Sequence, residues 1–301
     1  MPQNYYNQIK TELINNEAYK RVKDYSKNRS DLATYYNVGK ILIEAQGGEK
    51  RAKYGDELIK NYSKRLTEEL GKGYAIQSLK NMRSFYLLIE KSQTLSVQLT
   101  WSHYVELLKF NDINEINYYI SLCESQTLSV RELRQHIKSR DYERLSTTAR
   151  DKLAIGSKPS LPDIIKNPII IKNTHGNEIF SEKILQQLIL EDLPHFLKEL
   201  GEGFTFIDNE YKIRAENSYN YIDLLLYNIK YNCYVVIELK ITELKAEHIG
   251  QIKKYMNYID ANLRDITQDK TIGIIITKKD NKFVIEYCSD ERVKMVEWKV
   301  G

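Results

Sequence analysis

Hydrophobic positions in the first half of the chain recur every three to four residues, which predicts helices. Two such segments, residues 54–70 and 74–90, are joined by the turn Gly-Lys-Gly at 71–73. A helix, a tight turn and a second helix at this spacing are typical of a helix-turn-helix, with residues 75–90 as the second helix. A plain pair of antiparallel helices in a bundle gives the same pattern. We therefore expect an all-helical first domain and leave both interpretations of this pair open.

Three basic residues belong to this helix pair. Lys72 lies in the turn, and Lys80 and Arg83 lie in the second helix. If the pair is a helix-turn-helix, these side chains are the candidates for contacts with DNA phosphates. If it is a plain helical hairpin in a bundle, these residues have no such role.

The second half of the chain changes from a purely helical pattern to a mixed one. Residues 146–168 contain three of the five prolines and many small polar residues, a composition typical of linkers. We place domains at residues 1–150 and 171–301, with a linker at 151–170. The second domain reads as a helical stretch (181–204) that Pro194 kinks or divides, three strands, a helix and two further strands. The predicted segments after the first helix are 204–216, 220–228, 233–241, 246–263, 271–279 and 282–290.

This order of segments predicts a mixed sheet flanked by helices. The helix at 246–263 is expected to cross over and to bring the strand at 271–279 parallel to the strand at 233–241. Its apolar stripe of Ile249, Ile252, Met256 and Ile259 would pack on the sheet.

One predicted strand, "CYVVIELKI" at 233–241, places charge among aliphatic residues. Because side chains alternate along a strand, Glu238 and Lys240 share one face. The preceding apolar strand contains Asp223, and a hairpin between the two strands would bring Asp223 close to Glu238. Two adjacent carboxylates repel each other unless a cation lies between them, and oxygen ligands of this kind suit Mg²⁺.

Lys240 beside such an ion could orient or help to deprotonate a water molecule, or stabilise charge on a phosphate. This arrangement predicts hydrolysis of a phosphodiester bond. The alternative is a partly buried ion pair of Lys240 with Glu238 or Asp223 that has no chemical role. The strongly apolar surroundings of both carboxylates favour the metal site.

Composition narrows the class of protein. The chain of 301 residues carries a net charge of +4, divided into +7 for residues 1–160 and −3 for the remainder. A basic half beside an acidic half fits a DNA-holding part joined to a metal-holding part, although two ordinary solvated surfaces could differ as much.

No apolar run approaches the ~18 residues of a membrane helix, and the first residues lack a signal-peptide core. Three widely spaced cysteines and no C-x-x-C pair favour a reducing cytoplasm.

The residues Asp223 and Glu238-Leu239-Lys240 resemble the active site of the PD-(D/E)XK nuclease superfamily, and the surrounding sequence resembles its YhcG-like branch. No proline precedes Asp223, which removes a backbone feature of the motif but no ligand. In the first half, the similarity is to the N-terminal helical domain of that branch. The stretches that carry the resemblance include "FLKELGEGFTFI", "YIDLLLYN", "YVVIELK", "AEHIGQIKKYMNYID", "LTWSHYVELLK" and "LSVRELRQHIKS".

The resemblance implies a restriction-endonuclease-like domain that follows a helical, DNA-binding domain. It implies that Asp223 and Glu238 bind Mg²⁺ (or Mn²⁺) and that Lys240 serves the attacking water. Related nucleases add a glutamate from the first helix of the domain, for which Glu182 is the candidate, although an acidic residue at a helix N-terminus is also favourable by itself. Gln251 and Tyr255 match polar residues that face the site. His248 shares their helix face.

Several basic residues near the predicted site are candidates for a phosphate path, or are ordinary solvated charges. They are Lys212, Arg214, Lys245, Lys253 and Lys254.

The leading hypothesis is a metal-dependent DNA endonuclease in DNA maintenance or mobile-element defence. The alternative is a non-catalytic DNA-binding or partner-recruiting protein that retains the nuclease fold. An RNA substrate ranks third, because the chain has no RRM or KH signature. Expected partners are DNA, a second copy of the chain and a protein of a defence or restriction system, with no membrane association.

Overall fold

The computed structural model describes residues 4–21, 27–48, 52–92, 95–176, 180–215, 218–288 and 290–301. The chain divides into two compact units, Met1–Ser139 and Arg140–Gly301. Across the described residues, no helix combines the length and the apolar character that crossing a membrane requires.

The first unit is helical throughout its described residues, as the spacing of its apolar residues predicts. Helices α3 and α4 are the predicted pair, and residues 71–75 form the turn between them. The helices are α1 (Tyr5–Arg21), α2 (Lys27–Ala45), α3 (Ala52–Leu70), α4 (Ile76–Ser92), α5 (Trp101–Leu107), α6 (Ile113–Gln126) and α7 (Val130–Lys138).

The core of the first unit forms where α1 to α4 meet. Ile9, Leu42, Leu66 and Leu79, one from each helix, are fully buried in a single cluster. Gly39 on α2 permits a close approach to α4, because a Cβ atom at this position would lie 2.2 Å from the carbonyl oxygen of Met82. Apolar burial on one face of each helix thus stabilises this bundle.

The second unit combines helices with one sheet. Its first helices are α8 (Thr147–Ala154) and α9 (Leu161–Ile164), followed by β1 (Ile169–Ile171), α10 (Glu182–Glu191) and α11 (Leu193–Leu200). The remaining elements are β2 (Phe204–Ala215), β3 (Ser218–Asn228), β4 (Cys233–Leu239), α12 (Ala246–Asn262), β5 (Ile272–Thr277), α13 (Lys282–Cys288) and β6 (Val293–Val300).

The six strands form a mixed sheet in the order β1-β6-β5-β4-β3-β2. The pairs β2–β3 and β3–β4 are antiparallel, whereas β4–β5, β5–β6 and β1–β6 are parallel. The helix α12 connects the parallel neighbours β4 and β5, which confirms the predicted crossover. A helical first region followed by a mixed sheet with helices is therefore confirmed.

The sheet separates two hydrophobic cores. On one side, Leu224 and Ile237 pack with α10 and α11. On the other side, Leu225 and Val236 pack with α12, whose predicted stripe is buried. The central strands are covered on both faces, so a polar side chain within them is shielded from solvent unless it lies near a strand end.

The prediction of a strand at 282–290 is wrong, because Lys282–Cys288 forms the helix α13. The last strand of the sheet is β6, which follows it. Parallel neighbours such as β5 and β6 cannot be joined by a tight turn and require a crossover connection, and α13 lies in that connection. Only Val284 of this helix is buried, and Phe283 and Tyr287 are exposed and lie against each other.

The segment 151–170, which the composition predicts as a linker, contains ordered elements of the second unit. It holds the end of α8, the helix α9 and the start of β1. Leu161 and Ile165 are buried in the core beneath the sheet. Pro162 occupies the first turn of α9, a position that proline favours in a helix. The composition that resembles a linker thus reflects helix starts and turns.

Candidate active site

The two central strands β3 and β4 bring the predicted carboxylates together. Their antiparallel register ends at the pair Leu224 and Ile237, so Asp223 and Glu238 are the next opposite positions. The amide of Leu239 donates a hydrogen bond to Oδ2 of Asp223 at 2.7 Å. The Asp223 side chain thus continues the connection between the strands beyond their last backbone pair.

Glu238 is almost completely buried, with 2% of its surface exposed. Its Oε1 accepts hydrogen bonds from Nζ of Lys240 and from Nε2 of Gln251, each at 2.8 Å. Its Oε2 is buried and has no hydrogen-bond partner. Burial, followed by the nearby charge of Asp223, raises the pKa of Glu238 to about 7.

Asp223 lies in a similar environment. Burial raises its pKa, and the hydrogen bond from the Leu239 amide opposes that rise. The carboxylates of Glu182 and Glu210 add repulsion and favour the protonated form of Asp223. The site therefore holds more acidic charge than its own basic side chains balance.

Lys240 follows β4 directly and turns its ammonium group toward the carboxylates. Its Nζ lies 2.8 Å from Oε1 of Glu238, 3.1 Å from the carbonyl oxygen of Leu239 and 3.5 Å from Oε2 of Glu182. Burial disfavours the ammonium, but the hydrogen bond and ion pair with Glu238 outweigh it, and the pKa of Lys240 rises. The ring nitrogen of Trp298 donates to the Lys240 carbonyl at 3.2 Å and fixes the backbone at this point.

Glu182 is the first residue of α10, which Ser181 caps through a hydrogen bond from the Ile184 amide at 3.2 Å. Its side chain is 46% exposed and approaches the site through Lys240. The structure thus places Glu182 at the edge of the carboxylate pair.

Helix α12 supplies the remaining predicted residues. Nε2 of Gln251 bridges Oε1 of Glu238 and the hydroxyl of Tyr255, the latter at 2.9 Å. Tyr255 is buried, and burial raises its pKa. His248 differs from these two, because its Nδ1 accepts the Lys245 amide at 3.2 Å at the start of the helix. Gln251 and Tyr255 therefore position Glu238, whereas His248 caps α12.

Two further residues at the site are not predicted from the sequence. Gln186 is buried on α10 and donates through Nε2 to the backbone carbonyl of Asp223 at 3.0 Å. Its position four residues after Glu182, on the same helix face, is the signal that identifies it. Glu210 lies between Asn209 and Tyr211, whose partners on β3 flank Asp223, and it has a φ of 50°, a left-handed conformation that is uncommon for glutamate. No pattern in the sequence marks Glu210.

Two of the three predicted phosphate contacts, Lys80 and Arg83, have partners within the first unit. Lys80 lies 3.1 Å from Oδ1 of Asp56, and Arg83 lies 3.9 Å from the same atom and 3.3 Å from Oε1 of Gln46. These two side chains therefore connect α4 to α3 and to the end of α2. Lys72 is exposed in the turn between α3 and α4.

The described residues contain no group of three or more histidine, cysteine, aspartate or glutamate side chains that could hold a metal ion. The pair of Asp223 and Glu238 nevertheless fits a hard divalent cation. Mg²⁺ commonly takes only one or two protein carboxylates and completes its shell with water and phosphate oxygens. The unpartnered, buried Oε2 of Glu238 beside a second carboxylate is the structural observation that agrees with such an ion.

Comparison with solved structures gives only partial likenesses. One is to a repair endonuclease from Pyrococcus abyssi, with 21% identity over 40% of this chain and 48% of that one and a TM-score of 0.28. Another is to the structure of an EndoMS–dsDNA2 complex, with 19% identity over 43% of this chain and 48% of that one and a TM-score of 0.29. The matched parts span about half of each of those chains.

Comparison of sequences covers both units. A curated relative, "Putative nuclease YhcG" of Escherichia coli (strain K12), is 28% identical, and the match covers 83% of this chain and 77% of the relative. Residues 10–144 match the DUF1016 N-terminal domain. Residues 162–298, which include the entire carboxylate site, match the YhcG PDDEXK nuclease domain. The chain therefore combines a DUF1016 N-terminal domain with a YhcG PDDEXK nuclease domain.

Proposed function

We propose that this protein is a divalent-metal-dependent endonuclease that hydrolyses phosphodiester bonds in DNA. The observation that carries the proposal is the surplus of buried carboxylate at the ends of β3 and β4. Asp223 and Glu238 lie at opposite positions, both have raised pKa values, and one buried oxygen of Glu238 has no partner. A cation between them would relieve the repulsion and occupy that oxygen.

Asp223 and Glu238 would hold Mg²⁺ or Mn²⁺. When bound, such an ion lowers the pKa of a coordinated water and neutralises charge on a phosphate. The Leu239 amide fixes Asp223, and Gln251 fixes Glu238, so both carboxylates are oriented before a substrate arrives. This preorganisation avoids reorientation of the ligands during the reaction.

Lys240 acts in this proposal as a fixed positive charge. Its raised pKa in the metal-free site keeps it an ammonium that donates hydrogen bonds. From its place beside Glu238 it would orient the attacking water and stabilise the negative charge that develops on the phosphate. Glu182, 3.5 Å from Nζ, would keep this ammonium at the mouth of the site.

The first unit is proposed to hold DNA. Residues 1–139 contain 21 lysines and arginines against 16 aspartates and glutamates, and this excess of positive charge supports the role, because the charge of phosphates dominates affinity for DNA. Lys72, exposed in the turn between α3 and α4, is the candidate for a phosphate contact. Lys80 and Arg83 instead connect α4 to α3 through ion pairs with Asp56. We assign the nuclease to DNA maintenance or to defence that involves mobile elements.

The test is cleavage of supercoiled, linear and branched DNA by the full-length protein, with Mg²⁺ or Mn²⁺ against EDTA. We expect metal-dependent cutting that falls by about 10²–10³-fold or more in the variants Asp223→Asn and Lys240→Ala. Asp223→Asn retains an acceptor for the Leu239 amide, so it separates lost chemistry from lost folding.

The exposed residues Asp208 on β2 and Lys282 on α13 provide matched controls, as Asp208→Ala and Lys282→Ala. We expect both control variants to cut like the wild type. A folded wild type that binds DNA and cuts no form of it with either metal would overturn the proposal and favour the non-catalytic alternative.

A further inference from the structure

The hairpin formed by β2 and β3 is longer than the part of the sheet that supports it. The register between β3 and β4 covers Leu224 to Asn228, whereas β3 begins at Ser218. The segments Tyr211–Ala215 and Ser218–Ile222 pair with each other and extend past Asp223 as a two-stranded ribbon. We call these two segments the ribbon. Because Asp223 directly follows the ribbon, whatever binds the ribbon lies beside the carboxylates.

The ribbon has one anchored face and one face in solvent. Ile213 and Ile222 are buried in the core that α12 covers. The alternate positions are exposed, and the register pairs Lys212 with Tyr221 and Arg214 with Tyr219. Because paired residues lie on the same side of a hairpin, these two cations and two tyrosines form one exposed face.

The exposure of these tyrosines requires an explanation. Tyr219 is 57% exposed and Tyr221 is 51% exposed, although large aromatic side chains tend to be buried. The ammonium of Lys212 lies 3.8 Å from the centre of the Tyr219 ring, a cation–π contact. Among the described residues, neither Lys212 nor Arg214 forms an ion pair, unlike Lys80 or Lys253. The face therefore presents aromatic surface and uncompensated positive charge together.

Alternating cations and aromatic rings match the chemistry of a nucleic-acid strand whose bases are unstacked. Cations contact phosphates, and rings stack on bases without preference for sequence. A base inside a regular duplex already stacks on both faces, so the rings gain a contact only where bases are unpaired. At a rise of about 3.3 Å per residue, Tyr221 is only about 7 Å along the strand from Asp223. A strand on the ribbon therefore reaches the carboxylates within a short distance.

We propose that the ribbon holds DNA with unpaired bases, such as a flap, branch or single strand, next to the bond that is cut. Tyr219 and Tyr221 stack on the bases, and Lys212 and Arg214 contact the phosphates. This inference rests on the proposed nuclease function and names its substrate class. It predicts that the ribbon selects the structure of the DNA and that its sequence matters little.

The experiment measures DNA binding by the full-length protein in EDTA, where no metal-dependent cutting occurs. The probes are a fluorescent single-stranded oligonucleotide and the same sequence as a blunt duplex. The ring variant Tyr219→Ala/Tyr221→Ala is compared with Tyr219→Phe/Tyr221→Phe, which keeps both rings. The charge variant is Lys212→Gln/Arg214→Gln. Exposed residues on α13 and β6 provide the controls Tyr287→Ala and Lys282→Gln/Lys299→Gln.

We expect the ring variant to bind the single strand about tenfold more weakly or worse and the duplex almost unchanged, with phenylalanine restoring the affinity. The charge variant should weaken binding to both probes and reduce the slope of log K against log salt by about 1.4–1.8. Control variants should bind like the wild type.

The inference would be overturned if the ring variant bound the single strand as tightly as the wild type does. It would also be overturned if the ring variant lost the same affinity for the single strand and for the duplex. The nuclease proposal fails separately. If the wild type cuts no DNA but the ring variant still loses single-strand binding, the proposal that the ribbon binds DNA is retained and the proposed nuclease activity is overturned. If the wild type cuts DNA and ribbon variants bind like the controls, the nuclease stands and the ribbon inference is overturned.

Discussion

Two clusters of buried charge in the second unit behave in opposite ways. In the first, Arg144 lies 2.6 Å from Glu199 and 2.8 Å from Asp141, and Lys166 lies 2.8 Å from Asp141. We call these four residues the balanced cluster, because two acids face two bases. Burial disfavours the charged form of Glu199, but its partners outweigh this effect, and its pKa is lowered. Apart from Nε of Arg144, its buried nitrogen and oxygen atoms have partners.

The second cluster is the candidate site, where Asp223 and Glu238 share the single ammonium of Lys240 inside the fold. Here the pKa of Glu238 is raised to about 7, and one of its oxygens has no partner. Glu199 and Glu238 are similarly buried, with 6% and 2% of their surfaces exposed, so burial alone does not explain the opposite shifts of their pKa values. The balance between acidic and basic side chains distinguishes the two clusters. A buried cluster that lacks a cation indicates a binding site, whereas a balanced cluster indicates a structural connection.

The largest effect is expected where the balanced cluster is broken. Glu199→Ala removes one of the two acids that Arg144 and Lys166 share, so two buried cations face Asp141 alone, and it removes the acceptor of the Ile170 amide. We expect a loss of about 3–5 kcal/mol in the free energy of unfolding, measured by urea titration. Glu182→Ala, which truncates an exposed acid of the site, is the control and should change this energy by less than about 0.5 kcal/mol. Equal losses in both variants would remove the distinction between the clusters.

Glu238→Gln is expected to change the free energy of unfolding by less and in the opposite direction, because it should stabilise the metal-free protein relative to the wild type as pH rises. A carboxyl group with a raised pKa contributes stability that is complete below its ordinary pKa of 4.5 and is lost as pH rises through about 7. Without metal, the wild type should therefore lose about 2–3 kcal/mol relative to Glu238→Gln between about pH 5 and pH 8. Thermal unfolding of both proteins in EDTA across this range measures the difference. A difference independent of pH would show that Glu238 is not strained by burial and by Asp223.

The smallest effect concerns the orientation of Glu238. Tyr255→Phe removes the hydroxyl that accepts a hydrogen bond from Gln251, and Gln251 in turn holds Oε1 of Glu238. Loss of one such bond corresponds to about 1 kcal/mol, or about fivefold in rate. On the proposed function we expect kcat to fall by this factor while KM stays constant, because Tyr255 acts through Glu238. Tyr258→Phe on the same helix is the control. A change in KM alone would instead indicate contact with the substrate.

The sequence predicts the candidate site better than it predicts the balanced cluster, for a physical reason. Asp223, Glu238 and Lys240 lie in strands with strong apolar patterns, so the pairing and the shared face follow from strand geometry. Asp141, Arg144, Lys166 and Glu199 lie in helices and connections where charged residues are normally exposed. Their burial depends on how distant segments pack, which local patterns do not encode.

The helix α13 shows the same limit in another form. Its residues "KFVIEYC" form a short apolar run that suits a strand as well as a helix. The decision comes from topology, because β5 and β6 are parallel neighbours that require a connection between them. The sequence predicts that Pro194 either kinks the helical stretch at 181–204 or divides it. The second alternative is confirmed, since Pro194 lies in the first turn of a separate short helix, α11. Local residue types determine where a helix starts. Whether a short apolar run forms a strand or a helix depends on the topology of the assembled sheet.

Calorimetric titration of Mn²⁺ into the metal-free, full-length protein at pH 7 measures whether the cluster of Asp223 and Glu238 binds a cation. In buffers of different ionisation enthalpy, we expect binding with release of part of a proton, because Glu238 must lose its proton to become a ligand. Glu238→Gln should bind at least about tenfold more weakly and release none. If the wild type bound no Mn²⁺, or if Glu238→Gln bound it equally well, the cluster would not be a metal site.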